Sequence, residues 1–322
     1  MSVLRSKIIA CGGYLPQNVV TNKDLESVFD TTHDWIVERT GILQRCVADE
    51  FEYTSHLAVH AAKNAIQMAC IDPMSIDMIL LATSTPDHTF PATSSIVQAA
   101  IGANNAYAFD LQAVCSGFIF ALTTADMYIR HGMASTVVVI GAETFSRILN
   151  PLDRSTAVLF SDGAGAMILQ ASEEMSGGHI IESVLHTDGK WYDALKTSGG
   201  PSTTGYSGYV EMNGRLVFRH AVEKLSSVIV EILEKSSTHI NEIDWFIPHQ
   251  ANKRIINAVA NNVNIDQSKI IYTGDMHANT SAASVPLAFD QAFRQGKVKK
   301  GDIVLFESFG AGFSWGAILA KI

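Results

Sequence analysis

The chain repeats its own order of elements, and that repetition constrains the fold more than any single motif. Residues 54–70, TSHLAVHAAKNAIQMAC, read as a helix opened by a Thr/Ser cap, and SIDMILLATST follows as a buried strand. Residues 217–235, VFRHAVEKLSSVIVEILEK, read as a second helix leading into the strand-like EIDWFIPHQAN. Ile76-Asp77 precedes Cys115 by 39 residues, and Ile243-Asp244 precedes Asn279 by 36. A helix begun at Cys115 reaches Gly132, and one begun at Asn279 reaches Gly296, 17 residues on in each case. Strands TVVVIGAE and DIVLFESFG come next, and each half closes on a similar phrase, GAGAMILQA and GAGFSWGAILAKI. Five correspondences in register predict two copies of one α/β unit, 1–172 and 173–322, packed so that equivalent positions meet. On that packing Cys115 and Asn279 head equivalent helices and approach each other, with His249 at the end of a nearby strand.

Composition narrows the classes. With 47% hydrophobic and 17% charged residues over 322 positions, the chain can bury the core that two such units need. A net charge of −9 removes any general attraction to nucleic acid or to an anionic membrane. No apolar run reaches the roughly 18 residues of a membrane span. The apolar part of MSVLRSKIIACGGYLPQ is too short for a secretory signal. Four cysteines, with no CxxC pair and no zinc spacing, predict a reduced, metal-free, cytoplasmic protein.

Cys115 lies in FDLQAVCSGFIFAL, where a strand-like run gives way to a helix-like one. Unpaired N–H groups at a helix start, and the positive end of its dipole, favour a thiolate and hence a nucleophile. Cys11, Cys46 and Cys70 lack that setting and read as packed small hydrophobes. His249, in WFIPHQANKR, is delivered to a rim by an apolar strand. Asn279, in MHANTSAAS, reads alone as a plain helix cap. The glycines of ESFGAGFSWG form a tight loop that can aim a backbone N–H at a carbonyl oxygen. Residues 188–214, rich in Gly, Ser, Thr and Tyr, read equally as a surface loop or as a flap over a site.

With these residues in hand, the chain resembles the β-ketoacyl-acyl-carrier-protein synthase III family, the initiating condensing enzymes of dissociated fatty-acid synthesis. The resemblance spans essentially the whole length and rests on five phrases in order. They are DWIVERTGI at 34–42, VCSGF around Cys115, PHQAN at 248–252, NTSAASVP at 279–286 and the terminal FGAGFSWG. It implies a thiolase-type fold, α/β, with duplicated halves in a five-layer αβαβα sandwich, working as a homodimer. The implied substrates are a short acyl-CoA, typically acetyl-CoA, and malonyl-acyl-carrier protein, with no metal or redox cofactor. Cys115 is then the acyl-accepting nucleophile, with His249 and Asn279 as its partners. Backbone N–H groups of Cys115 and Ala311 would form the oxyanion hole. Trp35, Arg39 and Arg154 match positions that hold the adenine end of CoA, and Gly214 and Asn252 positions near the pantetheine arm. Phe90 matches a residue that crosses the dimer to floor the partner's acyl pocket, to which Phe145 and Phe160 are also assigned. Arg219, Gln250, Ala251, Asn252, Lys253 and Arg254 are the expected docking surface for the acidic carrier, a local basic patch on a net-negative chain. Lys224 reads as a solvated helix charge.

Two residues depart from the family pattern. Ala311 stands where a glycine is usual, which is tolerable while its φ stays in an allowed region. Phe145 replaces a smaller aliphatic residue, and turned inward it would favour a short primer. Rival readings have discriminating features. A cysteine hydrolase shares Cys, His and Asn but needs an open groove. A biosynthetic thiolase would want a second cysteine in FGAGF, an elongating synthase a second histidine in place of Asn279, and a hydroxymethylglutaryl-CoA-type synthase a glutamate where ATSTPD offers Asp87. A non-catalytic acyl-CoA-binding module would not need Cys115, His249 and Asn279 together.

Overall fold

The computed structural model describes residues 4–173 and 177–322. Nine of its strands form two sheets. The first runs Arg5–Tyr14, Gly163–Ser172, Thr136–Glu143, Met78–Ala82, Tyr107–Leu111, with the last three parallel to one another and the first two antiparallel to their neighbours. The second runs His179–Thr187, Ser314–Lys321, Ile303–Gly310, Trp245–Pro248, with the same senses in the same order. An isolated parallel bridge from Phe246 to Ile270 stands where the fifth strand of the first sheet would be.

Both sheets are covered on both faces, so their central strands read as unbroken apolar runs. Period two sorts their side chains. Met78, Leu80, Val137 and Val139 point to one core, and Ile79, Leu81, Val138 and Ile140 to another. In the second sheet Val304 and Phe306 face the first core, while Leu305 and Leu319 face a third. The shared core also holds Phe118, Leu122 and Ile129 of helix Gly117–Arg130 and Val285, Ala288 and Phe289 of helix Ser284–Arg294. Those two helices therefore form a middle layer. Helices Thr54–Ala69 and Thr93–Ile101 cover the first sheet outside, and Gly214–Ser236 and Lys253–Asn262 the second. The result is a five-layer αβαβα sandwich. No helix among the described residues is long and apolar enough to cross a membrane.

Local details differ from expectation in three places. Helix Thr54–Ala69 is capped by Tyr53, whose N–H donates to His56 Nδ1 at 3.0 Å, not by Thr54. Thr54 spends its hydroxyl on the Thr85 carbonyl, 2.6 Å away, because it is buried against that loop. Neither middle-layer helix begins at the residue that heads its motif: each is preceded by a 3-10 turn, Val114–Ser116 and Ser281–Ala283. Segment 188–214 is partly ordered, with strands Leu195–Thr197 and Val210–Met212 paired as a ribbon.

Candidate active site

The two 3-10 turns meet where the halves touch, and glycine permits the approach. A Cβ on Gly141 would lie 2.4 Å from the Ala282 carbonyl oxygen. One on Gly310 would lie 2.9 Å from the backbone nitrogens of Cys115 and Ser116. The C-terminal half also grips the Cys115 turn directly: Ser308 donates to the Cys115 carbonyl at 2.7 Å, and the Ser116 and Ser314 hydroxyls are 2.8 Å apart. In return the N-terminal half holds Asn279, whose N–H donates to the Leu159 carbonyl and whose carbonyl accepts from Ser161. Val114, Ala278 and Ser281 carry positive φ values of 49°, 53° and 50°. Such strain in non-glycine residues persists only where the surroundings over-determine it.

Cys115, His249 and Asn279 line one cavity of about 160 Å³ with Leu159, Phe160, Met212, Phe218 and Glu307. Burial pushes the Cys115 thiol from an ordinary 9.0 up to about 12; Ser281 and the residue's own N–H pull it down, and the Glu143 carboxylate pushes it up. That rise is worth about 4 kcal/mol against the thiolate, and a helix end offsets at most about 2 kcal/mol. Burial thus works against the thiolate that the helix start was expected to favour. Its acidity does not separate it from Cys46, which burial raises to about 11; its neighbours do.

Burial holds His249 down at about 3, so its imidazole is neutral. Its Nδ1 lies 2.6 Å from the Ser284 hydroxyl, which accepts the Gln250 N–H at 3.3 Å. The buried Ser284 hydroxyl has no other acceptor among the described residues, so its proton goes to Nδ1, and the proton of the ring sits on Nε2. Asn279 Oδ1 accepts the Ser281 N–H at 2.9 Å, which leaves its NH₂ as the free end. The cavity thus presents one thiol and two neutral N–H donors.

The mouth carries the other expected groups. The guanidiniums of Arg154 and Arg39 lie 4.7 and 5.9 Å from the Trp35 ring centre. Asn252 lines the cavity and donates to the Arg39 carbonyl at 3.1 Å, which ties this cluster to the tunnel. Gly214 and Ala251 line the same cavity. Arg254 sits over Phe218, 5.7 Å from its ring centre, and Lys253 over Tyr272 at 5.2 Å, with Arg219 exposed on helix Gly214–Ser236.

Gln250, Phe145 and Lys224 depart from their assignments. Gln250 is 1% exposed and cannot meet a carrier. Its amide donates to the Pro248 and Ile271 carbonyls and accepts from Thr273 and Gly274, so it is a strut beneath the site. Phe145 does not line the catalytic cavity; it stacks on Phe160 at 4.4 Å and faces a second cavity of about 620 Å³. Ala311 lines that second cavity too, outside the left-handed region. Phe90 is 83% exposed, next to residues 86–89 that line the second cavity, and does not reach the first. Lys224 lies 5.0 Å from the Trp315 ring centre, so it is not merely solvated. Glu143, Ser281, Ser284 and Glu307 were not singled out from the sequence. A carboxylate inside an apolar strand, as in VVVIGAE and IVLFES, was the available signal.

Comparison with known proteins places the chain in a family. The family model 3-oxoacyl-[acyl-carrier-protein (ACP)] synthase III matches residues 109–189, and its C-terminal counterpart residues 233–322. The beta-ketoacyl-[acyl-carrier-protein] synthase III of Erythrobacter litoralis is 53% identical over 320 residues, covering 99% of this chain and 100% of its own length. That of Bradyrhizobium sp. is 52% identical over 321 residues, 99% of each. The crystal structure of 3-oxoacyl-[acyl-carrier-protein] synthase III from Aquifex aeolicus superposes with a TM-score of 0.94 at 44% identity, covering 98% of this chain and 100% of that one. A duplicated sandwich that closes a thiol, an imidazole and a carboxamide into one cavity, with relatives alike over their full length, makes this chain a member of the β-ketoacyl-acyl-carrier-protein synthase III family.

Proposed function

We propose that this chain starts fatty-acid synthesis by a decarboxylative condensation of a short acyl-CoA with malonyl-acyl-carrier protein, using Cys115 as the acyl carrier. The reading rests on one observation above the rest: Cys115, His249 and Asn279, from both halves, line a single cavity. Acyl-CoA enters with its adenine end on Trp35, Arg39 and Arg154 and its pantetheine along Gly214 and Asn252. Sγ of Cys115 attacks the thioester carbonyl, backbone N–H groups of Cys115 and Ala311 hold the oxyanion, and CoA leaves. Losing such a donor costs about 3–4 kcal/mol of transition-state stabilisation.

Malonyl-acyl-carrier protein then docks on Arg219, Lys253 and Arg254, and its pantetheine follows the same path. His249 Nε2–H and the Asn279 NH₂ donate to the malonyl thioester oxygen. Carbon dioxide departs, and the two donors stabilise the enolate it leaves. Neutral donors suit this step, because decarboxylation removes no proton and an imidazole near 3 is a poor base. The enolate carbon attacks the acyl-cysteine, Sγ is expelled, and a 3-oxoacyl thioester is released. Side chains and backbone supply every step, so no resident cofactor is called for. We further propose that the halves divide at 172/173 and that the chain works in the cytoplasm as a homodimer, the exposed Phe90 entering its partner.

Mass spectrometry after mixing with a panel of acyl-CoAs tests the reading. Acyl adducts are expected on Cys115, ranked toward short chains, followed by CO2 release with malonyl-acyl-carrier protein. An adduct on another residue, or condensation that persists in Cys115→Ser, refutes it.

A further inference from the structure

The condensation just described needs the Asn279 carboxamide turned with its NH₂ toward the substrate, and this inference rests on that reading. The N-terminal half fixes the backbone of Asn279: its N–H donates to the Leu159 carbonyl at 3.0 Å, and its carbonyl accepts from the Ser161 N–H at 2.9 Å. Those bonds do not orient the carboxamide. The Ser281 N–H does, donating to Asn279 Oδ1 at 2.9 Å. Ser281 is a strained partner. Its φ is 50°, and Ala278, on the other side of Asn279, has φ 53°. That region costs a non-glycine residue about 1–3 kcal/mol, so the surroundings have to hold the turn in place.

Strand Thr136–Glu143 of the other half holds it at two points. Gly141 lies directly against the Ala282 carbonyl. Glu143 ends the strand, fully buried, and its Oε1 accepts from the Ser281 hydroxyl at 3.0 Å. Its Oε2 accepts from the Thr85 hydroxyl at 2.6 Å, the Ser84 N–H at 3.0 Å and the Thr83 hydroxyl at 3.3 Å. Three donors from 83–85 thus lock one oxygen and leave the other for the turn. Burial lifts Glu143 from 4.5 to about 7. The tie to Ser281 holds in either form. Ionised, Oε1 accepts from the hydroxyl; neutral, Oε1 is the oxygen with fewer donors, so it carries the proton and donates to Ser281 Oγ.

We propose that Glu143 is a positioning residue for decarboxylation: through the Ser281 hydroxyl it braces the turn whose N–H sets the Asn279 carboxamide. It touches no reacting atom and moves no proton. The brace spans 138 residues and crosses between the halves, so a donor of the C-terminal half is aimed by a strand of the N-terminal one. A misplacement of about 1 Å at such a donor costs about a hundredfold in rate. The other two catalytic groups have supports of their own. Ser284 orients His249, and Ser308 and Ser314 hold the Cys115 turn. Loss of the brace therefore falls mainly on the step that uses Asn279, the release of CO2, and less on acylation of Cys115.

Ser281→Ala tests this, since it removes the bridging hydroxyl and keeps the N–H. CO2 release from malonyl-acyl-carrier protein is expected to fall about ten- to a hundredfold, in kcat rather than KM. Cys115 acylation, followed by mass spectrometry, is expected to lose much less. Glu143→Leu repeats the pattern with a lower melting temperature. Glu143→Gln is the conservative control: its amide oxygen faces 83–85 and its NH₂ donates to Ser281 Oγ, so most of the CO2 release returns. Equal losses in both half-reactions of Ser281→Ala, or an unchanged CO2 rate, overturn the brace. So does a Glu143→Gln as slow as Glu143→Leu. Should Glu143→Leu fail to fold, Ser281→Ala and Glu143→Gln decide. A wild-type protein that takes no acyl group or releases no CO2 defeats the functional reading. A crystal structure of Ser281→Ala then judges the brace: an Asn279 carboxamide that turns or shifts supports it, and one left in place overturns it.

Discussion

Replacing Ser284 by alanine removes one oxygen and puts the His249 tautomer at stake. That oxygen lies 2.6 Å from Nδ1 and 3.3 Å from the Gln250 nitrogen, and all three groups are buried. A neutral buried hydrogen bond is worth about 1 kcal/mol net, and each polar group left unpaired costs about 1–3 kcal/mol. Two groups are orphaned, so stability is expected to fall by about 2–6 kcal/mol. Catalysis suffers separately. Without a donor at Nδ1 the ring loses roughly 1–1.5 kcal/mol of preference for the proton on Nε2, and each 1.36 kcal/mol is about tenfold in rate. The expected outcome in Ser284→Ala is CO2 release down about tenfold, a larger drop than that in Cys115 acylation, with recovery in Ser284→Thr. The assay compares CO2 release from malonyl-acyl-carrier protein with the rate of acyl-adduct formation. Equal losses in both half-reactions, or none in either, refute the argument that this hydroxyl sets the donor at Nε2.

Gly141→Ala places a methyl 2.4 Å from the Ala282 carbonyl oxygen, so strand or turn must shift. A melting temperature lowered by a cost of about 1–3 kcal/mol, with condensation activity lost as Asn279 and Ser281 move, is expected; an unshifted melt refutes the close approach. Arg254→Glu reverses a charge at the tunnel mouth. The KM for malonyl-acyl-carrier protein is expected to rise about fivefold, the size of an exposed ion pair, more than the KM for malonyl-CoA. The gap should narrow with added salt, and steady-state kinetics at two salt concentrations would expose a gap that does not.

Much of the site was legible because it rides on order and period. The doubled strand–helix order placed Cys115 and Asn279 at equivalent turns, and the apolar runs MILLA and TVVVIGAE marked strands covered on both faces. What escaped depends on partners distant along the chain. Ser281 and Glu143 are 138 residues apart and His249 and Ser284 are 35 apart, so no local pattern pairs them. Gln250 looked like a surface group beside Lys253 because adjacent residues leave a strand end in opposite directions. Whether it meets solvent was settled by the Thr273–Gly274 backbone folding over it.

From the sequence alone come the two copies and the expectation of a nucleophile at Cys115, read from spacing and local setting, while the expectation of an imidazole and an amide as its partners came with the family resemblance. Tertiary structure decided the protonation of each group. Water is excluded only once both halves close, and it is that exclusion that keeps the Cys115 thiol and the His249 imidazole neutral and raises Glu143 toward neutrality. Desolvation is a property of everything packed around a group, so no string of neighbours along the chain encodes it.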